Sequence, residues 1–131
     1  MPRPIRREVR TSDAPPPSFS YSQGIVAQGL LFIAGQIPKN PATGEVPESF
    51  ADQARQVLDN LSSVARAAGT SLEHAVRVNV YLDDIESVYE LEEIYRPYFT
   101  APFPVRTTVR AGLRGFLIEI DAIVAMDGQS S

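Results

Sequence analysis

The chain of 131 residues contains no cysteine and no tryptophan, and it has a single histidine. Without cysteine there can be no disulfide, no zinc-thiolate site and no thiol nucleophile. One histidine, His74, cannot by itself build a His-based metal cluster, and it makes a Ser-His-Asp arrangement improbable; in SLEHAVRV it reads as covering a strand entrance. Long apolar runs are also missing. No stretch approaches the roughly 20 residues of a membrane span, and no signal-type apolar segment follows the basic start, so a cytoplasmic protein is the default expectation. What the chain does have is 44% apolar residues, enough for the core of one domain.

The net charge of -4 is unevenly placed. Arg3, Arg6, Arg7 and Arg10 crowd the first ten residues, and setting those ten aside leaves eight basic residues against fifteen acidic ones. So acidic a body does not suit a groove that tracks phosphates, and nucleic acid is not an expected partner. The division expected is a basic, Pro-rich, poorly ordered arm over residues 1–17, one domain over 18–127, and a short tail over 128–131.

Along the domain, YSQGIVAQGLLFIAGQI (21–37) reads as two strands turning at Gln28-Gly29. Ser49 and Asp52 resemble a capping box. Behind them Phe50, Ala54, Val57, Leu58, Leu61, Val64, Ala65 and Ala68 recur on one helical face, and Gly69 stands where a C-terminal cap belongs. AVRVNVYL (75–82) alternates as a strand with Val76, Val78, Val80 and Leu82 inward. A second helix is expected from Ile85 to Phe99, with Asp84 as cap and Pro97 in its last turn. Strands over 105–111 and 116–126 complete a ββαβαββ order: an α+β two-layer sandwich, a mixed sheet with two helices on one face.

In the last strand Ile118, Ile120, Ala122, Val124 and Met126 fall on the helix side, which sends Glu119 and Asp121 to the opposite face. If the two final strands pair as a hairpin around AGLRG, Arg106 lies opposite Asp121, and Thr108 opposite Glu119. Two readings of that second face stay open. It is either a solvated surface, on which Arg106 forms a weak ion pair and Arg114 is an ordinary turn residue, or a face covered by a partner subunit that encloses Arg106 and Glu119 in a pocket.

YSQG (21–24), IAGQIP (33–38), QARQVLDNLSSVARAAG (53–69), VRVNVYLDD (76–84), FPVRTTV (103–109) and LIEIDAIVA (117–125), in this order, resemble the Rid family of reactive intermediate deaminases, also called YjgF-like or L-PSP proteins. The resemblance implies a chorismate-mutase-like fold in a homotrimer with a central β-barrel and inter-subunit clefts. It also implies cofactor-independent hydrolysis of enamines or imines to a 2-oxo acid and ammonia, with no metal. Residue by residue, the family's carboxylate-binding arginine falls on Arg106, its water-positioning glutamate on Glu119 and its cleft tyrosine on Tyr21, with backbone groups near Gly35 and Thr107. Two positions depart from the pattern. Ala34 replaces a serine of the well-studied members, and Glu92 stands where they carry an asparagine, within one residue of register. A Glu92 facing the cleft would disfavour a simple anionic imino acid and suit a larger or amine-bearing substrate. A non-catalytic, carboxylate-binding or regulatory trimer and a specialised pathway enzyme are the alternatives.

Overall fold

A computed structural model describes residues 4–126. The elements are β1 (Arg7–Val9), β2 (Gly24–Ala27), β3 (Leu30–Gln36), α1 (Phe50–Ala68), β4 (Ala75–Leu82), α2 (Val88–Tyr95), β5 (Val105–Arg110) and β6 (Ile118–Ala125), with single turns of 3-10 helix before β4 and on either side of α2. They form one six-stranded mixed sheet of order β1-β2-β3-β6-β4-β5.

Local chemistry explains most boundaries. Gln28 and Gly29 both take positive φ at the β2–β3 turn, the conformation that such a tight hairpin needs. Ser49 caps α1 by accepting from the Asp52 N–H, and Gly69 ends it in the left-handed region at φ 92°. The expected second helix is instead α2 between two 3-10 turns, and at its C-terminal end Pro97 lacks the N–H that would continue it.

β6 runs through the middle of the sheet, antiparallel to both β3 and β4. Its Ile118, Ile120, Ala122 and Val124 are buried under α1 with Leu31 and Ile33 of β3, and Val78, Val80 and Leu82 of β4 belong to the same core. The α1 stripe of Val57, Leu58, Leu61 and Val64 closes that core and is fully buried.

Three sequence expectations change. Val76 is not inward; a register shift between Ala75 and Arg77 turns it out to 43% exposure. The final hairpin does not exist: β5 pairs in parallel with β4, so β4 separates β5 from β6. A central strand as apolar as β6 is better satisfied by two neighbours than by an edge position, and the segment through α2 supplies the crossover that a parallel β4–β5 pair requires. Finally, residues 7–9 of the basic arm form the edge strand β1 against β2. Gln23 explains why the arm is held. Its side chain, 2% exposed, accepts from the Thr11 N–H and donates to the carbonyls of Thr11, Ala14 and Pro15. The tail 128–131 lies outside the described residues.

Leu61→Ala, at a fully buried site, is expected to lower unfolding stability by about 2–5 kcal/mol in chemical denaturation. Gln23→Ala should cost about 1–3 kcal/mol, since it orphans several buried backbone groups. In the second variant, amide exchange should accelerate first at residues 11–15, and uniform acceleration would show that Gln23 does not clamp the arm.

Candidate active site

The face of the sheet away from the helices carries Glu119 and Asp121 of β6, as the alternation predicted, and the two carboxylates sit in different surroundings. Asp121 accepts from the Asn79 amide at 2.9 Å and the Tyr81 hydroxyl at 2.8 Å. This hydrogen bond, with burial and the negative charge nearby, pushes the Tyr81 phenol up to about 12, so Tyr81 stays a donor. Glu119 has no side-chain hydrogen bond among the described residues. Burial, reinforced by the charge of Asp121, raises its carboxyl above the ordinary glutamate value.

Beside Glu119, β3 bulges. Its register against β6 shifts between Ile33, opposite Ala122, and Gln36, opposite Ile120, so Ala34 and Gly35 together face one residue of β6. A Cβ on Gly35 would collide with the Glu119 carboxylate, so a larger residue here would push that carboxylate out of its present position.

Glu119, Ala34, Gly35 and Tyr21 line one cavity of about 760 Å³, joined at its rim by Lys39 and Arg114. Its floor is the bulge and its walls are loops. Buried amides fix those loops: Asn60 of α1 donates to the carbonyls of Ile37 and Lys39, while Gln53 donates to Pro47 O and accepts from the Leu117 N–H. The sequence reading passed over these groups. The available signal was a pair of amides, seven apart, inside the apolar stripe of α1. Arg114, read as an ordinary turn residue, holds a left-handed backbone at φ 58° and faces this cavity. An open groove of about 770 Å³ on the outer helical face, lined by Arg55, Tyr89, Glu90 and Tyr98 among others, lies away from these groups.

Arg106 is elsewhere, which corrects its expected position opposite Asp121. On β5 it pairs with Val78 and thus shares the helix-facing side of the sheet, whereas Glu119 pairs with Tyr81, which is level with Val109. Arg106 and Glu119 are therefore three rows and two strands apart, on opposite faces, with Cα atoms separated by roughly 14 Å. Thr108, expected opposite Glu119, pairs with Val80 on the helix side instead. Thr107 does lie on the Glu119 face, on the edge strand, where its hydroxyl accepts from Arg77 at 3.4 Å.

The Arg106 guanidinium lies over the Tyr95 ring, 4.6 Å from its centroid, and donates to Glu92 Oε1 at 3.2 Å. Glu92 Oε2 accepts from Arg96, also at 3.2 Å. The register of α2 is thus settled: Glu92 meets Arg106, and Glu93 lines the outer groove. The Arg96 hydrogen bond, followed by that of Arg106, holds the Glu92 carboxyl below the usual range against the opposing effect of burial. The buried Tyr95 hydroxyl has no hydrogen-bond partner among the described residues, and burial raises its pKa. Among the described residues no group of three or more His, Asp or Glu side chains could hold a metal ion.

A mixed sheet with two helices on one face and a carboxylate-bearing cavity on the other defines a class of small α+β proteins. The RidA structure from an Antarctic Psychrobacter superposes with a TM-score of 0.87 at 33% identity, covering 92% of this chain and 99% of that one. A family model described as Endoribonuclease L-PSP matches residues 11–126, and the chain belongs to that family, the one to which its motifs pointed. A RutC family protein of Pyrococcus horikoshii is 42% identical over 91% of this chain and 97% of its own length. The 2-iminobutanoate/2-iminopropanoate deaminase of Rattus norvegicus is 37% identical over 91% of this chain and 89% of its own.

The raised carboxyl of Glu119 has a consequence for stability. A folded-state pKa above the unfolded 4.5 means that the native state binds the proton more tightly, so wild type loses stability as pH rises from below 4.5 through the folded value. Glu119→Gln is expected to be more stable than wild type at pH 7, with the difference shrinking toward pH 4 in paired thermal melts. A difference independent of pH would contradict the desolvated carboxyl.

Proposed function

We propose that the protein hydrolyses reactive enamine or imine intermediates of the 2-imino acid type, giving a 2-oxo acid and ammonia without a cofactor. The observation that carries the reading is Glu119, a carboxylate with a raised pKa facing a cavity beside Tyr21 and the Ala34-Gly35 bulge. Kinship with imine deaminases supports it.

In this reading Glu119 orients a water and takes its proton as the oxygen adds to the imine carbon. With the imine protonated, the addition gives a neutral carbinolamine; Glu119 returns the proton to its nitrogen, the C–N bond breaks to release ammonia, and the hydroxyl proton passes through Glu119 to that ammonia as the carbonyl forms. A carboxyl poised nearer neutrality than an ordinary glutamate serves both directions of transfer. Backbone groups near Gly35 and Thr107 complete the pocket. Because such imines hydrolyse spontaneously, positioning and desolvation supply much of the acceleration.

Arg106 is the carboxylate anchor, and its guanidinium fork suits that group better than an ammonium would. One chain keeps Arg106 and Glu119 on opposite faces, so the complete site needs Arg106 from one subunit and Glu119 from another. The exposed apolar side chains support this assembly. Val105 is 57% and Val109 42% exposed on β5, and Phe32 is 42% exposed on the same face. A homotrimer with three inter-subunit clefts fits, and light scattering should give three times the 14.4 kDa chain mass; a monomer would undo the shared site. The capture of Arg106 by Glu92 favours a second reading, in which the trimer binds a carboxylate without turnover or serves a specialised pathway with another substrate.

With a threonine dehydratase generating the imine in situ, wild type should release ammonia faster than the spontaneous rate. Arg106→Ala and Glu119→Gln should each return it to within about tenfold of that background. Equal rates with and without the wild-type protein, on several amino-acid-derived imines, would sink the deaminase reading.

A further inference from the structure

The proposed carboxylate anchor is not free. Arg106 Nη2 is engaged by Glu92 at 3.2 Å, and the guanidinium face is covered by Tyr95. The Glu92 contact takes one of the two Nη2 N–H groups, so one bidentate edge, made by the other Nη2 N–H with Nε or Nη1, remains for a ligand. A carboxylate docked there lies within about 6 Å of the Glu92 carboxylate, close enough for like-charge repulsion in a partly desolvated cleft. Arg96 offsets only part of that repulsion. Its side chain is 66% exposed, against 26% for Arg106, so its charge is the better screened of the two. A ligand that brings its own cation reverses the sign, because Glu92 then becomes its counterion.

Resting on Arg106 as the anchor, we infer that Glu92 is a specificity-determining residue that favours imino acids carrying a second, cationic group, of the kind derived from basic amino acids, over simple alkyl ones. The ion pair is a poor candidate for a purely structural device. It is partly exposed, where such pairs add less than about 1 kcal/mol to stability, and α2 is already held by the burial of Leu91 and Tyr95 and by the Tyr98 hydroxyl on Asp59. Glu92 stays ionised across the neutral range because its two arginines hold its carboxyl low, so the preference does not depend on pH near 7.

The test uses two stable carboxylates of similar length, hexanoate and 6-aminohexanoate, titrated calorimetrically into the full-length protein and its E92Q variant. Wild type should bind 6-aminohexanoate at least about threefold more tightly than hexanoate, and E92Q should reverse the order by improving hexanoate and weakening the amino form. E92D should keep the wild-type order, and Arg106→Ala should lose both ligands. Parallel weakening of both ligands in E92Q, an unchanged order, or no binding of either by wild type overturns the inference. Turnover is scored separately with imines generated from alanine and from arginine. Preference without turnover removes the deaminase reading alone, and turnover without the change of preference removes only the role of Glu92.

Discussion

The structure depends on the position of β6 between β3 and β4. With two hydrogen-bonded neighbours the strand cannot shift register, so its alternation fixes both faces at once. A slip of one residue would drive Glu119 and Asp121 into the core against α1. In the register observed, the same eight residues supply the floor of the core and the carboxylates of the opposite face. Those carboxylates, two apart on one strand face, differ through their neighbours. Asp121 takes two donors from β4, whereas Glu119 takes none from the described side chains and has the β3 bulge beside it. Two like groups in contrasting environments leave Asp121 a fixed acceptor and Glu119 with a raised pKa, the contrast on which its proposed role as proton carrier rests.

The loops around Glu119 are positioned by amides that belong to the core. Gln53 and Asn60 emerge from the buried stripe of α1, and Gln23 precedes β2; each satisfies backbone groups of a segment that has no ladder of its own. Burying an amide is costly unless its hydrogen bonds are made, and here making them is what fixes residues 11–15, 37–39 and 117. Cavity shape and core packing are therefore coupled through α1.

Much of this was legible in the sequence because it follows from short-range periodicity. The α1 stripe, its Ser49 and Gly69 caps, the Gln28-Gly29 turn and the outward direction of Glu119 each depend on a few neighbouring residues. Strand pairing did not come through. Nothing in FPVRTTVRAGLRGFLIEI says that β4, over twenty residues upstream, will insert between β5 and β6, and the hairpin assumed there put Arg106 on the wrong face. Val76 was misplaced for a related reason: a bulge changes the period for one residue without leaving a mark in composition. Glu92 was singled out as a departure from the family pattern, but its contact with Arg106 required the fold of α2 over β5.

Arg106 and Glu119 occupy the places of the sheet that a single chain keeps farthest from one another in function, an edge strand and the central one, on opposite faces. An edge strand leaves one row of backbone groups unpaired, and β5 also carries Val105 and Val109 outward. Surfaces of this kind are stable only when short, charged or covered, and β5 combines an exposed apolar row with the arginine proposed as anchor. Covering that edge with the Glu119 cavity of a second copy would bury the valines and deliver Arg106 to the carboxylate in one step. On that view Glu92 has two settings: in the lone chain it is a counterion for Arg106, and in an assembled cleft it is a charge that every incoming carboxylate must approach. Under the proposed assembly Glu92, one of the two positions that depart from the family pattern, would sit where subunit contact and substrate choice meet.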